Sequence, residues 1–176
     1  MPHKLTLPLN TERLIITEFT PDMAQSVHLN SLDADNREFQ PDEVFETLQD
    51  ALETITELMS FYGQQDAPLV YPILLKNGEQ IGHIQAVPYE DGWEIGYHIG
   101  SKHTKNGYAT EAVKAFLPAI MQHLSIKNIY GVCRADNYAS CKVLERNGFA
   151  LIDESMQGYH GDNYLVRIYI YSLGDL

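Results

Sequence analysis

Between Val70 and Cys133 the chain changes how it joins its strands, and that change limits the folds open to it. Residues 70–75 and 80–87 are β-rich runs separated by Lys76-Asn77-Gly78-Glu79, a tight turn carrying the Asn-Gly hairpin signal. A second turn at residues 89–92 leads into a third run at 93–99, so these strands form an antiparallel meander. From Gly107 onward the apolar residues Ala109, Ala112, Val113, Phe116, Leu117, Ile120 and Leu124 fall at helical spacing instead. Pro118 interrupts them, which predicts a kink or a missing hydrogen bond. Residues 129–133 are again a strand. A strand–helix–strand crossover joins parallel neighbours, so one sheet must combine the meander with a parallel pair.

The flanking segments fit such a sheet. Residues 14–19 are β-rich, and Thr20-Pro21-Asp22 supplies an N-cap residue and a first-turn proline for a helix reaching about residue 32. Pro41-Asp42-Glu43 opens a second helical stretch, in which Val44, Leu48, Ala51, Leu52, Ile55, Leu58 and Met59 recur at spacings of three and four. Residues 137–146 read as a short helix stopped by Asn147-Gly148. Two further β-rich runs, 149–156 and 164–171, complete the chain. The predicted class is α+β, a mixed sheet with helices packed on it, as a single domain over residues 1–176.

Composition excludes several function classes. The formal net charge of −12 argues against a nucleic-acid partner, which needs a basic face. No run of about 18 apolar residues is present, so no membrane span is expected. The first ten residues do not read as a signal peptide. Cys133 and Cys141 are too few for a disulfide framework and form no CxxC pair, so a reduced, cytoplasmic protein is expected. The charge is also uneven. Residues 1–100 hold 4 Lys/Arg against 17 Asp/Glu, whereas residues 101–176 hold 8 against 7. Solubility accounts for such acidity; alternatively, the second half binds an anion and the first faces a cation.

An anion has an evident place to bind. The segment Ser101-Lys102-His103-Thr104-Lys105-Asn106-Gly107-Tyr108-Ala109-Thr110 joins a strand to a helix, and free N–H groups at a helix start attract phosphate. Gly107 permits close backbone approach, and Lys102, His103 and Lys105 form a basic cluster. Neither GxxxxGK[ST] nor GxGxxG is present.

Asn106-Gly107-Tyr108-Ala109-Thr110-Glu111-Ala112 resembles the pyrophosphate loop of the GNAT acetyltransferase superfamily, (Gln/Arg)-x-x-Gly-x-(Gly/Ala). Residues 137–149, Asn-Tyr-Ala-Ser followed by Gly148-Phe149, resemble its second motif, Asn-x-x-Ser…Gly-Phe. The opening Leu9-Asn10-Thr11-Glu12-Arg13-Leu14 is similar to that of the RimJ/RimL-type branch, which acetylates protein N-terminal amines and related amino groups. Thr104 stands where the family usually has Gln or Arg, and Lys105 where it often has Gly. The resemblance implies a GNAT fold: a mostly antiparallel twisted sheet, one splayed parallel strand pair, and helices on both faces. It implies acetyl-CoA as co-substrate, with pyrophosphate on the backbone of Lys105, Asn106, Gly107, Tyr108, Ala109 and Thr110. Pantetheine would pair with the strand at His98 and Ile99, and Asn137 and Ser140 would contact it from the opposite wall. It leaves a homodimer open.

Acetyl transfer to an amine needs a base, oxyanion donors and a proton for the leaving thiolate. The resemblance makes Glu94 the candidate base, on one strand face with Gly96 and His98 by alternation; a solvent-facing Glu is the plain alternative. His98 either shares that role or is a satisfied sheet residue. Ser140 is the candidate donor to the thiolate, or a helix-packing residue; the Tyr that many family members carry four residues later is Leu144 here. Cys141 reads as a buried inert thiol. Tyr159, His160 and Tyr164 either line the acceptor site or belong to a plain hairpin. His160 lacks metal-ligand partners at convincing spacing, so no metal is expected. The function this implies is acetyl transfer from acetyl-CoA to a primary amine of a protein N-terminus or a small cationic molecule. The alternative is a catalytically silent acyl-CoA-binding or regulatory module on the same fold.

Overall fold

The structure is a computed structural model and describes residues 5–174. The outermost residues of the expected 1–176 domain, and the first four of the N-terminal segment, lie outside that range. Eight strands form one sheet: β1 (Leu9–Asn10), β2 (Leu14–Ile16), β3 (Leu69–Leu75), β4 (Gln80–Tyr89), β5 (Gly92–Ile99), β6 (Asn128–Arg134), β7 (Ala150–Tyr159) and β8 (Asp162–Ser172). Their spatial order is β1-β2-β3-β4-β5-β6-β8-β7. The helices are α1 (Ala24–Ser31), α2 (Ala34–Phe39), α3 (Leu48–Phe61), α4 (Tyr108–Leu124) and α5 (Tyr138–Arg146).

The switch in connectivity sets the topology. β3, β4 and β5 pair antiparallel, and α4 carries the chain across to β6, which pairs parallel with β5. That parallel pairing is confined to Glu94 opposite Tyr130 and Ile95 opposite Gly131. Beyond Ile95 the two strands separate. The β6-facing backbone edge of Gly96–Ile99 is therefore free of strand partners, and a wedge opens between β5 and β6.

Alternation on β3 sorts the core onto two faces. Leu69, Tyr71 and Ile73 join Phe116, Leu117 and Ile120 of α4 in the larger cluster. Val70 points the other way, to Phe19, Ala24 of α1 and Ile55 of α3. Helices thus cover both sheet faces, as the resemblance implies.

Several boundaries differ from the sequence reading. The helix expected from Pro41 begins only at Leu48. Pro41–Glu43 is a separate 3-10 turn, and Thr47 and Asp50 form a reciprocal capping box that fixes the start of α3. β2 stops at Ile16 rather than residue 19. Thr20 makes no cap to the backbone, because its hydroxyl bonds Asp22, and Pro21–Met23 is a 3-10 turn ahead of α1. α2 was not foreseen. α4 continues through Pro118 to Leu124, with its apolar face buried on the sheet.

Candidate active site

The wedge between β5 and β6 holds two cavities. The larger, of about 580 Å³, is lined by His98 and Ile99 of β5, by Thr104, Lys105 and Gly107–Thr110 of the loop, and by Asn137 and the first residues of α5, Tyr138–Ser140. The smaller, of about 410 Å³, is lined by Glu94–Tyr97, Gln85, Glu43, Tyr159 and His160 among others. Gln40, Tyr97 and Ser140 line both. A reactive atom carried along the larger cavity would enter the smaller one at those three residues.

The larger cavity fits a long anionic ligand. Lys105 and Gly107 both take positive φ, 64° and 79°, which turns the chain sharply into α4. Gly107 caps α4 with no side-chain hydrogen bond, so the helix start faces the cavity uncapped. Arg13 steadies this turn from outside: Nη1 donates to the Asn106 carbonyl (2.8 Å), and the guanidinium lies 4.5 Å from the Tyr108 ring centre. The Asn106 side chain turns away and donates to the carbonyls of His103 and Thr104 (3.0 and 3.1 Å). Neither Asn106 nor Lys102 lines the cavity, so the expected contact at Asn106 is not made by the residues that border it. Thr104 spends its hydroxyl on the Ser101 carbonyl (3.0 Å). Lys142 and Arg146, one turn apart on α5, add positive charge that sequence reasoning missed. The successive spacing of four from Tyr138 to Lys142 to Arg146 was the signal available.

On the opposite wall, the Asn137 side chain accepts from the Ser140 N–H (3.3 Å) and so caps α5. Ser140 is freed from capping. Leu144 packs closely on Gly131 of β6, where an added Cβ would lie 2.6 Å from Leu144 Cδ2.

The smaller cavity is acidic. Register places His83, Gln85 and Val87 of β4 opposite His98, Gly96 and Glu94 of β5. Glu43, brought over by the Pro41–Glu43 turn, meets His83 Nε2 at 3.1 Å and accepts from Gln85 Nε2 at 3.2 Å. Burial opposes ionisation of Glu43, but His83, His98 and Gln85 outweigh it and hold its pKa below the ordinary value. Glu94 behaves oppositely. Burial, and then the neighbouring Glu43 charge, push it up to about 7. Two carboxylates in one cavity are thus driven apart in proton affinity, an arrangement suited to acid–base work. Glu43 had no sequence signal, since its place depends on a turn far along the chain from β4.

His98 does not join Glu94. Its ring lies 3.3 Å from the Asn30 carbonyl and 3.8 Å from Asp33, and burial followed by His83 lowers its pKa. Its side chain is satisfied by α1 and the turn after it, while its backbone borders the larger cavity. Tyr159 and His160 line the smaller cavity; Tyr159 donates to the Phe39 carbonyl (3.2 Å), and His160 Nδ1 lies 2.8 Å from Asp42. Tyr164 instead packs on Arg134, 3.7 Å from ring centre to guanidinium carbon. Cys133 and Cys141 are buried with sulfurs 3.2 Å apart, and burial raises the Cys133 thiol pKa. Among the described residues no group of three or more His, Cys, Asp or Glu could hold a metal, and no helix is long and apolar enough to cross a membrane.

Comparison with known proteins places this geometry. A family model described as an acetyltransferase (GNAT) domain matches residues 13–150. The N-acetyltransferase YnaD of Bacillus subtilis is 28% identical over 143 residues, covering 80% of this chain and 81% of that one. A GNAT-family acetyltransferase structure from Bacillus anthracis superposes with a TM-score of 0.81 at 24% identity, over 94% of this chain and 98% of that one. A RimL ribosomal L7/L12 alpha-N-protein acetyltransferase in complex with coenzyme A superposes with a TM-score of 0.82 at 19% identity, over 95% and 98%. The family match takes in the meander, the crossover loop and the Asn137 helix together, and the chain therefore belongs to the GNAT acetyltransferases.

Proposed function

We propose that this acetyltransferase acts as one domain over residues 1–176 and moves the acetyl group of acetyl-CoA directly to a primary amine. The acceptor is a protein N-terminus or a small cationic molecule. The observation that carries the reading is the meeting of two cavities of opposite character at Tyr97 and Ser140. The basic, loop-lined cavity suits the co-substrate, with the backbone of Lys105 and of residues 107–110 for pyrophosphate and the open edge at His98 and Ile99 for the pantetheine amides. Asn137 and Ser140 face it from α5. The acidic cavity suits an amine. The neighbouring structures support both halves, since one was solved with coenzyme A and acts on a ribosomal protein amine, and another, of MccE, was solved with acetyl-CoA.

In this reading Glu94 takes the proton of the incoming ammonium, directly or through water. The neutral nitrogen attacks the acetyl carbonyl, and the C–N bond forms as the C–S bond breaks through a tetrahedral intermediate. The second nitrogen proton passes to the departing sulfur, directly or through water, so that a neutral amide and the CoA thiol result. Ser140 donates a hydrogen bond to the sulfur as negative charge develops. Glu43 remains ionised and holds the cavity attractive to cations. The test is release of CoA thiol with a panel of amines: free and blocked N-terminal peptides, polyamines and aminoglycosides. Turnover on unblocked amines supports the reading. Tight acetyl-CoA binding without turnover on any amine would instead identify a silent acyl-CoA-binding module.

A further inference from the structure

Tyr97 reaches across the wedge from the sheet to the helix. It sits on β5 two residues past the last parallel pair, and its hydroxyl contacts the first turn of α5. The phenol donates to the Ser140 carbonyl (2.9 Å) and lies 3.1 Å from Ser140 Oγ. No other residue both borders the two cavities and hydrogen-bonds Ser140 among the described residues.

We propose that Tyr97 is a positioning residue for acetyl transfer, holding the Ser140 hydroxyl at the junction where the thiolate leaves. The proposal rests on the acetyl-transfer reading above, in which Ser140 donates to the leaving sulfur. A serine side chain has three staggered positions, and its hydroxyl hydrogen rotates to suit its neighbours. Left alone, Ser140 would spread over positions that point away from the sulfur. A two-point contact to its carbonyl and to Oγ removes that freedom. Donors fixed before the reaction stabilise developing charge without reorganisation, and small misplacements are expensive in rate.

The hydrogen inventory agrees. Burial raises the Tyr97 pKa, so the phenol keeps its proton. That one proton lies between two acceptors, the Ser140 carbonyl and Oγ; shared between them, it holds Oγ as an acceptor and leaves the serine's own hydrogen for the sulfur. Tyr97 neither gains nor loses a proton in the cycle. The anchor itself is rigid, because β5 is paired with β4 through Tyr97 and Ile84.

The test is a double-mutant cycle on the full chain with acetyl-CoA and an amine that the wild type acetylates. Tyr97→Phe keeps the ring and removes the contact, so the fold is retained, which its melting temperature verifies. The expected result is a fall in kcat of about three- to tenfold, with KM for acetyl-CoA within about twofold of wild type. Tyr97→Phe/Ser140→Ala should be no slower than Ser140→Ala alone, because the phenol acts only through the serine. A purely packing role would lower both backgrounds equally. Wild-type kcat in Tyr97→Phe, or losses that multiply in the double variant, would overturn the proposal while leaving acetyl transfer intact. A wild type that acetylates no amine would overturn both.

Discussion

Arg13 and Glu111, 98 residues apart, form a two-pronged ion pair behind the cofactor loop, with Nε at 2.7 Å and Nη2 at 2.6 Å from the same carboxylate oxygen. The other oxygen accepts from the Arg13 backbone N–H (3.0 Å) and the Thr11 hydroxyl (2.6 Å). Glu111 lies in the first turn of α4, so the Thr11–Arg13 segment fixes the helix whose start faces the larger cavity. This gives the Thr11-Glu12-Arg13 opening a physical role: it braces the loop. Arg13→Ala should raise KM for acetyl-CoA about three- to tenfold with a smaller change in kcat, since one charge-assisted brace is lost. Steady-state kinetics at varied acetyl-CoA checks this.

The same carboxylate predicts an acid dependence. Burial raises the Glu111 pKa, but the Thr11 and Arg13 bonds outweigh it and leave it below the ordinary value. Its contribution to stability is therefore present above the unfolded-state pKa and is lost as pH falls through the lowered folded-state value. Urea midpoints measured from neutral to acid pH should fall more steeply in wild type than in Glu111→Gln. Parallel curves would remove Glu111 from the acid transition.

Burial, and after it the Glu43 charge, hold Glu94 up, so Glu43→Gln should lower the Glu94 pKa part of the way. The alkaline rise of kcat should then move to lower pH in that variant. The acceptor KM should increase, because an anion has left the cavity. A pH–rate profile of kcat tests both statements, and an unmoved inflection would separate the two carboxylates.

The Thr47–Asp50 capping box should be worth about 1 kcal/mol to the fold. Thr47→Ala should lower stability by that amount in denaturant unfolding, and Thr47→Ser should restore most of it.

Local signals made much of this architecture legible. The Asn77-Gly78 turn, the apolar spacing from Ala109 to Leu124 and the strand after it were enough to require the mixed sheet, and Gly107 marked the loop. Signals acting at a distance were not legible. The segment from Asp33 to Thr47 is polar and follows no clear period, so α2 was invisible and α3 was started at Pro41 instead of after Thr47. That segment is held from afar, by Arg134 against Glu38 and Phe39, by Tyr159 on the Phe39 carbonyl and by His160 on Asp42. The same distance concealed Glu43 and Gln40 as cavity walls. Alternation put His98 on the face of Glu94 correctly. It could not show that Asn30 and Asp33 would occupy the imidazole.

The most direct test of the account is the pH dependence of kcat for acetylation of an unblocked amine, followed by product mass, in wild type and Glu94→Gln. Wild type should give an acetylated product at a rate that rises as Glu94 ionises, with an inflection near its pKa of about 7, and Glu94→Gln should be much slower and lack this inflection while binding acetyl-CoA as wild type does. No acetylated amine at any pH, or the same inflection and rate in Glu94→Gln, would contradict it.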